Sequence, residues 1–171
     1  MNAHVEPWLT ADATPVHDAR SSTEGGSLAR IVLDGQGHTV TLTGAAAIFG
    51  DDAEEVTIRN FRFVAGPDKT PGVVIALSNS RRVRIEDCRF EIPGAGAIST
   101  GGILTDDVVI ERCVFAPARR RFAVEGTGRH TIRNCRLAPP EGDAVRLLLP
   151  GASVLENNDF GNARIERVER P

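Results

Sequence analysis

An eight-residue pattern that recurs five times restricts the fold of this chain more than any other feature. Aligned at Val56, Val83, Val108, His130 and Ser153, the segments read VTIRNFRF, VRIEDCRF, VVIERCVF, HTIRNCRL and SVLENNDF, at intervals of 27, 25, 22 and 23 residues. Self-similarity at such a period marks a solenoid, in which each unit buries its apolar face on its neighbours. The third position is always branched and apolar (Ile58, Ile85, Ile110, Ile132, Leu155), and the eighth is always Phe or Leu (Phe63, Phe90, Phe115, Leu137, Phe160). Alternation within VTIRN and VRIED sends the first and third positions to one face of a strand. The fifth position, Asn60, Asp87, Asn134 and Asn157 with Arg112 as the exception, suits a sharp bend, because Asn and Asp tolerate left-handed backbone angles.

After that bend the sixth position turns inward again and reads Phe61, Cys88, Cys113, Cys135 and Asn158. The three cysteines therefore form a column of small buried groups. Their number is odd and none lies in a CxxC pair, so neither a disulfide framework nor a zinc site is indicated. Further apolar stretches, Val73 to Leu77, Ala95 to Ile98, Phe122 to Val124 and Val145 to Leu149, supply another strand per unit. Glycine and proline clusters such as Gly66-Pro67, Pro71-Gly72, Pro93-Gly94, Pro139-Pro140 and Pro150-Gly151 punctuate them as turns. Three short strands in a unit of this length make a coil of a parallel β-helix. A leucine-rich frame is absent, and strict alternation contradicts the 3.6-residue spacing of helical repeats.

The segment IVLDGQGHTVTL at Ile31 to Leu42, followed by EEVTIRNFRF at Glu54 to Phe63, resembles the opening coils of the pectate-lyase-like (pectin lyase-like) right-handed parallel β-helix superfamily. The resemblance runs from Ile31 to about Val168. It implies an all-β, right-handed parallel β-helix of about five to six short coils over residues 31–171, with residues 1–30 as an N-terminal cap or flexible arm. At ~4.8 Å per coil the rod is only about 25 to 30 Å long. Open ends expose strand edges, so a cap, or end-to-end or homo-oligomeric association, is expected. Handedness comes from the resemblance alone.

The superfamily spans polysaccharide lyases, glycoside hydrolases, epimerases, phage tail proteins and noncatalytic modules, so the fold does not name an activity. Where its members bind a glycan, the groove lies on the outer face of one sheet. Spacing from the third-position residues predicts inward Ile75, Leu77, Phe122, Val124, Val145 and Leu147. It predicts outward Phe49, Asp51, Val74, Ala76, Ser78, Ser99, Arg121, Ala123, Glu125, Arg146 and Leu148. A calcium-dependent lyase would add several carboxylates for the metal and an arginine base, and a hydrolase would add paired aspartates. Neither constellation is plain, so calcium is implied by resemblance only and no metal-binding residues are assigned. Asp51-Asp52 and Asp106-Asp107 read as solvated turn residues.

The basic run Arg119-Arg120-Arg121, with Arg146 one coil later and Glu125 and Asp143 nearby, is the candidate substrate-binding group, since guanidinium forks match carboxylate geometry. A second candidate is an anion stripe at the seventh position, Arg62, Arg89 and Arg136. Like charges one coil apart call for a counterpart, either an anionic polymer or neighbouring Glu91. The fourth position (Arg59, Glu86, Glu111, Arg133, Glu156) reads as ordinary surface pairing. The DGQG at Asp34 to Gly37 is a turn and not a phosphate loop, because no helix follows. His4, His17, His38 and His130 lie on different predicted elements, with His130 at a strand start, and no GxSxG elbow is present.

A net charge of −3 over 171 residues and the absence of Tyr disfavour nucleic acid as a partner. No apolar stretch approaches eighteen residues, so no membrane partner is expected. Met1 to Leu9 carry no secretory leader signal, which predicts a cytoplasmic protein if the chain is complete, and an extracellular or virion one if it is a piece of a longer chain. The functional expectation is a carbohydrate-active or polysaccharide-binding protein, whether a lyase, epimerase, hydrolase or noncatalytic module, acting on an acidic glycan. The alternative is a structural or assembly module that stacks on itself or a partner.

Overall fold

The computed structural model describes residues 29–42, 47–66, 72–92, 95–116, 122–137, 146–150, 152–160 and 164–168. The expected N-terminal cap lies outside them. Every assigned element is a strand, and the chain winds through three sheets in turn. β1 (Ala29–Asp34), β2 (Thr39–Leu42) and β3 (Ile48–Asp51) make one circuit, and β4 (Glu54–Arg59), β5 (Arg62–Ala65) and β6 (Val73–Ser78) the next. β7 (Arg81–Glu86), β8 (Arg89–Glu91) and β9 (Gly96–Gly101) follow. β10 (Asp106–Glu111), β11 (Val114–Phe115) and β12 (Phe122–Gly126) then precede β13 (His130–Arg133), β14 (Arg136–Leu137) and β15 (Arg146–Pro150). β16 (Val154–Glu156) and β17 (Arg164–Val168) come last, with Asp159 bridging to Arg136 between them.

The first sheet stacks β1-β4-β7-β10-β13-β16, the second β2-β5-β8-β11-β14, and the third β3-β6-β9-β12-β15-β17. Every strand pairing is parallel. This is a parallel β-solenoid, and its register is the one the repeat predicts: Ile58 pairs with Ile85, Ile85 with Ile110, and Ile110 with Ile132. These four isoleucines are fully buried. Each contributes roughly 1.5–3 kcal/mol by leaving water.

The fifth-position bend is left-handed in all five repeats: φ is 58° at Asn60, 54° at Asp87, 52° at Arg112, 54° at Asn134 and 50° at Asn157. Beyond it, Phe63, Phe90 and Phe115 stack as a ladder with ring centroids 5.3 Å apart, and Phe61 adds to its end at 5.4 Å. Offset stacking of this kind adds to the burial of the rings themselves. Cys88, Cys113 and Cys135 form the buried column expected of them, each thiol directed at two backbone carbonyls. Asn158 continues the column with hydrogen bonds: its Nδ2 donates to Ile132 O at 2.8 Å and its Oδ1 accepts from Cys135 N at 2.9 Å. Burial pushes the Cys113 thiol well above its ordinary pKa, so it is a neutral packing group.

The DGQG segment is indeed a turn. Asp34 accepts from Gln36 N, Asn60 Nδ2 and Arg59 Nε at 2.9, 2.9 and 2.8 Å. The Asn60 bond, with help from Gln36 N and Arg59, holds its carboxyl below the usual range. A side chain at Gly35 would collide with Phe61, 2.5 Å from where its Cβ would sit.

One expectation is overturned in the third sheet. Ile75, Leu77, Val124 and Leu147 are buried as predicted, but Val74 and Ala123, expected outside, are 0% and 1% exposed, and Ala97 between them is also buried. Strict alternation fails there because the sheet is buried on both faces at the start of β6, β9 and β12, as parallel sheets commonly are.

Candidate functional site

Farther along the same strands the outer face opens. The register aligns Phe49 with Ala76, Ala76 with Ser99, Ser99 with Glu125, Glu125 with Leu148 and Leu148 with Glu166. Phe49 is 58% exposed at one end of this ladder. Ser99 Oγ donates to Glu125 Oε1 at 2.6 Å, which fixes the carboxylate in mid-ladder and leaves its other oxygen as an acceptor. The ladder carries one exposed ring at Phe49, the small Ala76 and Ser99, and a positioned carboxylate at Glu125. Glu125 thus stands where the sequence placed it.

The other candidates divide. Arg146 opens β15 with its backbone paired to Phe122, the residue after Arg121. The strands carrying Arg146 and Glu125 are therefore neighbours, with a register shift between Phe122 and Val124. Arg119, Arg120, Arg121 and Asp143 lie outside the described residues. The seventh-position stripe does stack, with Arg62 beside Arg89 and Arg136 beside Val114. Its counterpart for the first two is Glu91, which accepts from Arg62 at 2.6 Å and from Arg89 at 3.1 Å. The Arg62 bond holds the Glu91 carboxyl below its ordinary pKa. The fourth-position column pairs as expected, Arg59 with Asp34 and Arg133 with Glu111. Burial raises the Glu111 carboxyl, but bonds from Arg112 and Arg133 outweigh it and leave the pKa lowered.

Sequence reasoning missed the corner where the third sheet hands over to the first. There the turn after β9, the turn after β12 and the end of β15 enclose a cleft of about 510 Å³, lined by Arg81, Ile103, Leu104, Asp106, Arg129 and Pro150 among others. Thr127 Oγ1 donates to Gly102 O at 2.6 Å and Arg81 Nε donates to Leu104 O at 3.1 Å, tying the turns together. Arg129 N donates to Asp106 Oδ1 at 3.1 Å. Gly128, at φ 81°, lies so close to Thr105 that a Cβ would sit 1.9 Å from its carbonyl oxygen. The signal that was available is the apolar pair Ile103-Leu104 inside a turn.

Behind this corner the interior is polar. His130, at the start of β13 as expected, is fully buried; its Nδ1 lies 3.1 Å from Gly128 O and its Nε2 2.7 Å from Thr100 Oγ1. The carbonyl requires Nδ1 to donate, and in the neutral ring that burial favours Nε2 is left as the acceptor. Burial lowers its pKa accordingly. Among the described residues, no three His, Cys, Asp or Glu side chains are grouped to hold a metal ion.

Fold and surface together define a parallel β-solenoid protein with an exposed aromatic and carboxylate strip on one sheet. Comparison of the chain with protein-family models, with curated proteins and with solved structures finds no match in any of the three.

Proposed function

We infer that this protein binds a polysaccharide, laid along the rod on the outer strip of the third sheet. The observation that carries this reading is the ladder itself: Phe49 offers a ring for the apolar face of a sugar, and the Ser99–Glu125 pair offers an oriented acceptor for its hydroxyls. Membership of the pectate-lyase-like superfamily, suggested by IVLDGQGHTVTL and VTIRNFRF, supports the same ligand class. The basic run Arg119 to Arg121 and Arg146 in the sequence favours an acidic glycan, since guanidinium forks match carboxylate geometry. The test is gel retardation against a panel of neutral and anionic polysaccharides, with chain shortening and unsaturated sugar read in the same samples. Retardation by at least one polymer, weakened about tenfold by Phe49→Ala or Glu125→Gln, is the expected result. Cleavage or unsaturation of that polymer would make the protein a hydrolase or lyase. Retardation by none of them overturns the reading.

A second reading is favoured by the strand order. Among the described residues β1 and β16 have a partner strand on one side only. Such edges suit end-to-end stacking on a second copy or a partner protein. Sedimentation showing a concentration-dependent series of rods would support it, and a monomer at all concentrations would exclude self-stacking.

A further inference from the structure

The corner cleft lies on a different part of the coil from the glycan strip, and its chemistry is different. At about 510 Å³ it is of the size that holds a small organic molecule. Its lining combines apolar residues, Ile103, Leu104 and Pro150, with two cationic ones, Arg81 and Arg129, which neighbour Asp106 on either side. Ile103 is 88% exposed, an unusual position for a large aliphatic side chain in a turn. Among the described residues the Arg81 side chain bonds through Nε alone, to Leu104 O, which leaves its terminal nitrogens as donors toward the cleft's lining. The Arg129 guanidinium lies 3.7 Å from the Asp106 carboxylate, a loose contact for an ion pair. Two guanidinium groups against one carboxylate give the lining one net positive charge.

The walls are also fixed in place. Gly128 is held by the His130 ring and cannot accept a side chain, and Thr105 Oγ1 donates to Gly101 O across its own turn. A preformed cleft of this kind loses little entropy on binding.

We propose that this cleft is a binding site for a carboxylate that carries a branched apolar group, with Arg81 and Arg129 on the carboxylate and Ile103, Leu104 and Pro150 around the apolar body. That chemistry belongs both to a free small acid and to the C-terminal residue of a peptide. The proposal does not rest on the polysaccharide reading.

The experiment is a titration of the ¹⁵N-labelled full chain followed by amide shifts, with N-acetyl-leucine as the probe. N-acetyl-leucinamide, which keeps the apolar body without the charge, and acetate, which keeps the charge without the body, are the controls. The expected result is saturable movement of the Thr105, Gly128 and Arg129 amides by N-acetyl-leucine, with both controls weaker by about tenfold or more. Arg129→Gln and Ile103→Ser should each weaken the probe about fivefold or more, both being exposed changes that leave the fold intact. Arg81→Gln serves in place of either if its melting shows damage. A tripeptide ending in leucine that binds more tightly than N-acetyl-leucine, and loses this on amidation, assigns the site to chain ends; equal or weaker binding assigns it to a free acid. Equal shifts from all three small probes, or no saturation at the corner, overturn the proposal. Neither outcome involves Phe49 or Glu125.

Discussion

Two corners of the same coil behave in opposite ways. Between the first and second sheets the five repeats turn alike: from the Ile or Leu of the first strand to the Phe or Leu of the second is always five positions, the bend between them is left-handed, and only apolar or sulfur-bearing side chains fill the inside until Asn158. Between the third and first sheets the circuits diverge: the first two bends match, with left-handed residues three apart, and the next two depart from them. The left-handed residue after the third sheet is Asp52, then Asn79, then Gly102, then Gly128. A second one follows at Glu55, Arg82 and Asp107, but the approach to His130 lacks it. Ser80, Thr100, Thr105 and His130 are buried there, and the cleft lies outside. Uniform stacking carries the stability of a solenoid, because identical side chains repeat the same contact coil after coil. Variation in the other corner produces concavity, and concavity is where a ligand fits.

The hardest test of the uniform corner is a charge in its stack. Ile110 is fully buried between Ile85 and Ile132, and an aspartate there would have no partner. Ile110→Asp is expected to cost about 3–5 kcal/mol or more, a large share of a typical stability of about 5–15 kcal/mol. Val109→Asp, one residue away on the outer face beside Arg84, should change stability by about 0.5 kcal/mol or less. Circular dichroism melts of the pair decide the matter. Cooperative melting of Ile110→Asp at the wild-type temperature would show that the stack is not the core of the protein.

The variable corner should reveal itself through pH. Because burial lowers the His130 pKa, the unfolded chain takes up a proton near pH ~6.5 that the native state refuses until lower pH. The stability associated with a neutral His130 is therefore complete above that pH and declines as pH falls through the folded-state pKa. Glu91, lowered by its Arg62 bond, adds a further loss only below its unfolded value of about 4.3. Melting temperatures of the wild type should thus fall between pH 7 and 5, while His130→Val, which restores the residue of the earlier repeats, should be flat over that interval. The same slope in both proteins would remove His130 as the cause.

The two corners also differ in how much of them could be read from the letters. The repeat located the Ile and Phe columns, the cysteine column and all five bends, because each depends on side chains that recur at fixed offsets. The outer strip was half legible: parity placed Phe49, Ser99 and Glu125 correctly, but not Val74 or Ala123, since alternation cannot show that both faces of a sheet are covered. The cleft was illegible. Its residues come from four successive coils, brought together only by stacking, and Arg81 and Arg129 look in sequence like ordinary turn charges. The Arg62 and Arg89 stripe was ambiguous for a related reason: only the register shows that Glu91 reaches both.

The finest comparison lies within the uniform corner, where Arg112 departs from the Asn or Asp of the other four bends yet takes the same left-handed backbone. An arginine gains nothing locally from that conformation, whereas Asn is stabilised in it. What compensates is charge: Arg112 contacts Asp87 at 2.8 Å, Glu86 at 3.0 Å and Glu111 at 2.7 Å. The Asp87 bond, with that to Glu111, pushes its pKa above the ordinary arginine range. Arg112 itself is exposed, although Glu111 is buried, so the pairs are worth about 0.2–1 kcal/mol each at low salt, and less when screened. Arg112→Asn exchanges the pairs for a relaxed backbone. At low ionic strength the variant should melt slightly below wild type, because Glu86, Asp87 and Glu111 then share one cation fewer. In about 1 M salt, where the screening length is only ~3 Å, it should melt at or above wild type, the whole change staying within about 1 kcal/mol. A deficit that is equal at both salt concentrations would mean that the arginine holds the bend by packing its aliphatic stem, and that charge has no part in it.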